Sequence, residues 1–258
     1  MSVKILNEID VSEYAWCNSA IMFRVSNGIG TITHKFDKKD EDYCYYNAHL
    51  LINDKPILQT YLPFCPTCRG MLATGYGIEN IDCPELKAVR ECLNSKYTNI
   101  KTSAEMLKPL LNLLEDGYYM LADVPHDPTD GNNRFFWSVP NKRTENPACC
   151  EEYYHYGLYF CNDSFPQYLY PTQSAEMCNE KRVNEYVEIL KNNPNPPRAL
   201  AYHEYGFISA LLDGHHKATA SALIGQKINC LTIIKTTGYS GVPISAGSLY
   251  VKNSFPLR

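Results

Sequence analysis

The chain has no run of about 18 consecutive apolar residues, the length a helix needs to cross a bilayer, so no membrane-spanning helix is expected. It has no excess of one charge: 24 lysines and arginines stand against 28 aspartates and glutamates, a net charge of −4. That balance supplies no global field to draw in nucleic acid or an anionic membrane, so neither is an expected partner. No internal repeat and no low-complexity segment interrupts the 258 residues. The opening Met1-Ser2-Val3-Lys4-Ile5 turns polar at Asn7-Glu8 and forms no secretory apolar core, so a cytoplasmic location is expected.

What is present describes an ordinary globular protein, with 45% hydrophobic and 20% charged residues. The length suits one large domain or two modest ones. In a reducing compartment the eleven cysteines are expected to be thiols or metal ligands, not a disulfide framework. Twenty tyrosines cluster in places such as Tyr43-Cys44-Tyr45-Tyr46 and Tyr153-Tyr154-His155-Tyr156. They read as half-buried strands whose phenols reach water, or as a stacking surface for bases or sugars.

In the first half, residues 20–25 and 29–33 predict a hairpin around Ser26-Asn27-Gly28, and residues 35–42 a solvated loop. A second hairpin is predicted about Asn53-Asp54-Lys55. Asp82 opens a helix as N-cap with Glu85 completing a capping box, and Leu86, Val89 and Leu93 share its buried face. Thr102 to Glu105 predicts a further helix carrying Leu107, Leu110, Leu111 and Leu114, interrupted at Pro109 and stopped at Gly117. Residues 123–148, with four prolines, read as a long irregular loop bordering a ligand cleft. Their Phe135-Phe136-Trp137 cluster is expected to anchor that loop to the core.

Cys65-Pro66-Thr67-Cys68 leaves three readings open: a redox pair, a zinc site, or buried inert thiols. Cys83 and Cys92 cannot both join one tetrahedral ion while their helix persists. Nine residues separate them, on the order of 13 Å along the axis and on opposite faces. A zinc site would therefore combine Cys65, Cys68 and Cys83 with a fourth ligand from Cys44 or His49, stapling an interaction protein.

The last third is the most legible. Val183, Tyr186, Val187 and Leu190 mark an amphipathic helix that Pro194, Pro196 and Pro197 end. Strands are predicted over 198–203 and 207–212. A helix follows from near His215 to Gly225, then a buried strand over 228–234. Between the second strand and the helix lies Asp213-Gly214-His215-His216-Lys217. Glycine permits a tight bend and close approach of a ligand, and the helix start offers unpaired N–H groups and a positive dipole end. The two histidines and the lysine add donors and charge. The plainer reading makes Asp213 a helix N-cap and the other three side chains surface groups.

The order helix, strand, strand, Asp-Gly-His-His-Lys, helix, strand over about residues 175–236 resembles the ParB/sulfiredoxin superfamily. The resemblance implies an α+β fold with a mixed sheet and helices. It divides the chain into an N-terminal α+β region over 1–165, to which it assigns no role, and a nucleotide- or phosphate-binding region over 166–258. His215 stands where sulfiredoxins have their cysteine nucleophile, which argues against that chemistry. The Asp-Gly-His start is similar to the turn of the superfamily's free-serine kinases. By that likeness Asp213 would lie near a transferred phosphoryl group with Mg²⁺, and Gly214, His215, His216 and Lys217 would hold phosphate oxygens. A glutamate base would come from Glu204, Glu180, Glu185 or Glu188. The expected ligand is a nucleoside di- or triphosphate or another phosphorylated small molecule, and the expected reaction phosphotransfer or nucleotide hydrolysis. A non-catalytic ligand-binding or DNA-associated module is the alternative.

Overall fold

The computed structural model describes residues 2–12, 16–38, 46–62, 68–78, 84–128, 155–157, 166–205 and 208–236. The fold is α+β. Its main sheet has seven strands in the order β1 (Ser2–Ile9), β2 (Ser19–Ser26), β7 (Gly117–His126), β12 (Ile228–Thr236), β10 (Ala199–Tyr205), β11 (Ile208–Asp213) and β9 (Tyr168–Pro171). The sheet is mixed: β10 runs parallel to β12 and β9 parallel to β11, and the other pairs are antiparallel. Strands from both sides of residue 165 thus share one sheet. A second, antiparallel sheet contains β3 (Ile32–Lys38), β4 (Tyr46–Ile52), β5 (Lys55–Leu62), β6 (Cys68–Ala73) and β8 (His155–Gly157).

The helices are α1 (Pro84–Asn94), α2 (Ile100–Leu111), α3 (Glu180–Asn192) and α4 (His215–Leu223). Alternation along the strands sends side chains to two faces. Phe23, Tyr119, Leu121, Leu200, Tyr202, Leu212 and Ile233 meet α1, α2 and the second sheet in the largest core. On the other face Ala199, Ala201, Leu211 and Cys230 pack against Ala218 and Ala222 of α4. These small residues let the helix sit close to the strands. Val183 and Tyr186 of α3 then cover Ala220.

Past β7 the chain turns back onto the far edge of the main sheet. The Asp127 N–H donates to Gln167 O at 2.7 Å, and Leu169 N–H donates to Asp127 O at 3.2 Å. β9 is thereby joined to the end of β7 as well as to β11, closing five strands on themselves. Inside that ring His126 Nδ1 lies 3.2 Å from Val124 O and Nε2 lies 3.0 Å from Ser209 Oγ. The carbonyl can only accept, so Nδ1 carries the proton and Nε2 accepts from the serine.

Several sequence expectations change here: the solvated loop expected over 35–42 begins as strand, because Lys35 to Lys38 belong to β3. β2 and β3 do not pair with each other and lie in different sheets. The residues between them are captured instead by the end of α2, with Ile29 N–H on Asn112 O and Ile32 N–H on Leu113 O. Residues 123–126, expected to open the long loop, are the end of the central strand Gly117–His126; residues 129–154, including the Phe135-Phe136-Trp137 cluster, lie outside the described residues. Asn99, three residues before Thr102, caps α2 by accepting from Thr102 N–H at 2.8 Å, and Pro109 is accommodated inside its last turn. The hairpin at 53–54 is as expected, with both turn residues at positive φ.

Candidate functional site

β11 ends at Asp213 and α4 begins at His215, with Gly214 between them at φ +101°. A side chain there would be strained by that φ and would place Cβ 2.7 Å from Ala199 Cβ on β10, so the bend is open only to glycine. Gly214 is the N-cap and provides no side-chain acceptor. Asp213 therefore does not cap the helix. Its carboxylate, 19% exposed, turns to Arg90 of α1, whose Nε stands 3.5 Å away. Gly214 gives the first turn of α4 no side-chain cap, and that turn lies at the positive end of the helix dipole.

The three side chains that follow are directed at the protein. His215 is 5% exposed, and its Nε2 accepts from the N–H groups of Thr172 and Gln173 at 3.0 and 3.1 Å. Both donors need a lone pair on Nε2, so the ring is neutral with its proton on Nδ1. Burial, aided by the neighbouring His216, pushes its pKa down to about 3. Nδ1 has no hydrogen-bond partner among the described residues. His216 Nε2 accepts from Asn179 N–H at 3.0 Å, just ahead of α3.

Lys217 is 2% exposed and spans from α4 to α1 and β10: its ammonium donates to Leu93 O at 2.7 Å and Arg198 O at 2.9 Å. Burial lowers its pKa to about 8, against the raising effect of Asp213. The ammonium that the family likeness assigns to phosphate oxygens here holds two backbone carbonyls.

Three arginines that the sequence reading did not single out surround this turn. Arg198, just before β10, makes a buried two-pronged pair with Asp123 at 2.9 and 3.0 Å and lies 3.9 Å over the ring of Tyr97. Its one legible signal is a lone cation entering the apolar run Ala199-Leu200-Ala201. Arg182 of α3 meets Tyr186 Oη at 3.2 Å, and that hydroxyl donates to Asn94 Oδ1 of α1 at 2.8 Å. Arg90 and Arg182 belong to separate helices far apart in the chain, and no local spacing marks them. A shallow open cleft is lined by Cys92, Tyr97, Ser103, Met106, Arg198 and Leu231 among others.

The remaining predicted residues are placed as follows. Leu200 pairs with Asp213 and Tyr205 with Ile208, so Glu204 lies toward the opposite end of the hairpin, roughly 13 Å along the strand. Glu185 pairs with Arg182 at 3.4 Å and Glu188 with Lys191 at 3.9 Å. Glu180 opens α3, directly after the Asn179 that His216 holds. Cys65, Cys83 and Cys44 lie outside the described residues, and Cys68 is the first residue of β6. Among the described residues no three His, Cys, Asp or Glu side chains gather as metal ligands. Comparison with protein-family models, with curated proteins and with solved structures finds no match to the chain.

Proposed function

We propose that this protein binds a nucleotide or another phosphorylated small molecule at the start of α4. One observation carries the reading: a glycine at φ +101°, pressed on Ala199, opens a helix without giving it a side-chain cap, beside the partly buried carboxylate of Asp213. Such a helix start favours an anion, and glycine allows a phosphate to approach the backbone. The order α3, β10, β11, α4, β12 adds support, because it is the order on which the likeness to ParB and sulfiredoxin proteins rests.

The division of labour differs from the one the likeness implies. His215, His216 and Lys217 build the turn by anchoring it to residues 172–173, Asn179, Leu93 and Arg198, and the backbone does the binding. Magnesium commonly takes one or two carboxylates together with substrate phosphates, and Asp213 offers one such carboxylate. With Mg²⁺ bound, the ion would neutralise phosphate charge, and Asp213 is the residue that would hold it. In a phosphotransferase or nucleotide hydrolase, positioning and charge neutralisation at this turn would supply most of the catalysis.

A second reading is favoured by the same three side chains: all of them have protein partners, so the motif serves as an architectural knot. Titration calorimetry with nucleoside triphosphates, with and without Mg²⁺, separates the two. Saturable binding strengthened by Mg²⁺ and weakened in Asp213→Asn supports the proposal. Absence of heat with every nucleotide leaves only the knot.

A further inference from the structure

Arg90 stands at Asp213. The Tyr186 ring has the Arg182 guanidinium 5.1 Å from its centroid and the Lys217 ammonium 5.7 Å from it. The Lys217 stem in turn lies 3.5 Å from where a Gly214 Cβ would stand. The Tyr186–Asn94 hydrogen bond fixes α3 to the end of α1, so the two arginines are carried by helices tied together. Both are partly exposed, with Arg90 at 37% and Arg182 at 49%, whereas Lys217 is buried beneath them. Among the described residues, Asp213 lies 3.5 Å from Arg90 and Glu185 3.4 Å from Arg182. The buried Nδ1–H of His215, in the first turn of α4, is a further donor without an acceptor among the described residues.

Resting on the reading that α4 binds phosphate, we propose that Arg90 and Arg182 are its charge-recognition residues and that the ligand carries at least two linked phosphoryl groups. Lys217 is then a positioning residue that holds α1 and β10 in place behind the turn. A single phosphate is satisfied by the amides of one helix start. Two guanidiniums on separate helices match the wider anionic spread of a diphosphate, and each can take a phosphate in a two-pronged grip.

The test is calorimetry on the full chain with inorganic pyrophosphate and orthophosphate as probes. The variants are Arg90→Gln and Arg182→Gln, with Lys191→Gln as a charge-matched control roughly 13 Å further along α3. Wild type is expected to bind pyrophosphate more tightly than orthophosphate. Each arginine variant should lose about tenfold for pyrophosphate and less for orthophosphate, with the control near wild type. Thermal melts check that the variants remain folded. If wild type binds pyrophosphate and both arginine variants bind it equally well, the inference fails while the phosphate-binding reading stands. An equal loss in Lys191→Gln reduces the effect to net charge and also overturns it. If wild type binds neither probe, the underlying reading fails, and this inference with it.

Discussion

At Gly214 the conformation and the contact make the same demand. An L side chain would sit at φ +101° and meet Ala199 at 2.7 Å, so Gly214→Ala should cost about 2–3 kcal/mol, read as a lowered urea midpoint. Lys217 is a different case. Its position in the motif reads as a phosphate ligand, yet its ammonium satisfies two carbonyls inside the protein. Lys217→Ala should leave both without that donor and open a void beneath α4, costing about 2–4 kcal/mol in thermal or urea unfolding. An unchanged midpoint would show that the ammonium is dispensable to the fold. The glycine could be read from sequence because bends of this kind need it. The inward course of the lysine could not, because it depends on where Leu93 and Arg198 lie in three dimensions.

Among the elements, those with a strong period and clear stops were legible: α3, β10, β11, α4 and β12 form where the sequence places them. Local signals misled where tertiary contacts compete. Asn27-Gly28 has the composition of a hairpin turn, but Gly28 N–H donates to Asp116 Oδ1 at 2.6 Å, and the chain is led away to the second sheet. Pro125 disguised the end of β7 as the start of a loop. It is tolerated because β2 pairs with β7 only as far as Asp123, leaving a partner on one side beyond that point. The Arg198–Asp123 pair joins the entry of β10 to β7 across β12 and was legible only as an isolated charge. Arg198→Met should cost about 3–5 kcal/mol, because it strands a buried carboxylate. Adding Asp123→Asn should recover part of that loss in the same urea melts. A double variant no better than the single one would argue against the pair as the source.

For the whole molecule, buried neutral histidines tie stability to pH. Burial pushes His126 down to about 4 and His215 to about 3, against an ordinary value near 6.5. Below 6.5 the unfolded chain takes up protons that the folded one refuses, so stability is full above that pH and falls as acid is added. Each histidine contributes a slope of about 1.4 kcal/mol per pH unit between its folded and unfolded values. In urea melts followed from pH 6 down toward 4, His126→Asn should reduce the wild-type slope by about that amount. An identical slope would show that His126 is protonated in the folded state.

The central claim is that the backbone of the Gly214 turn, held rigid by its own side chains, binds phosphate. Two-dimensional NMR of the labelled chain during titration with a nucleoside triphosphate and Mg²⁺ tests it most directly. The account predicts saturable shifts of the amide resonances of Gly214, His215, His216 and Lys217, with smaller changes at Arg90 and Arg182. Those resonances remaining fixed while others shift, or none shifting at all, would contradict it.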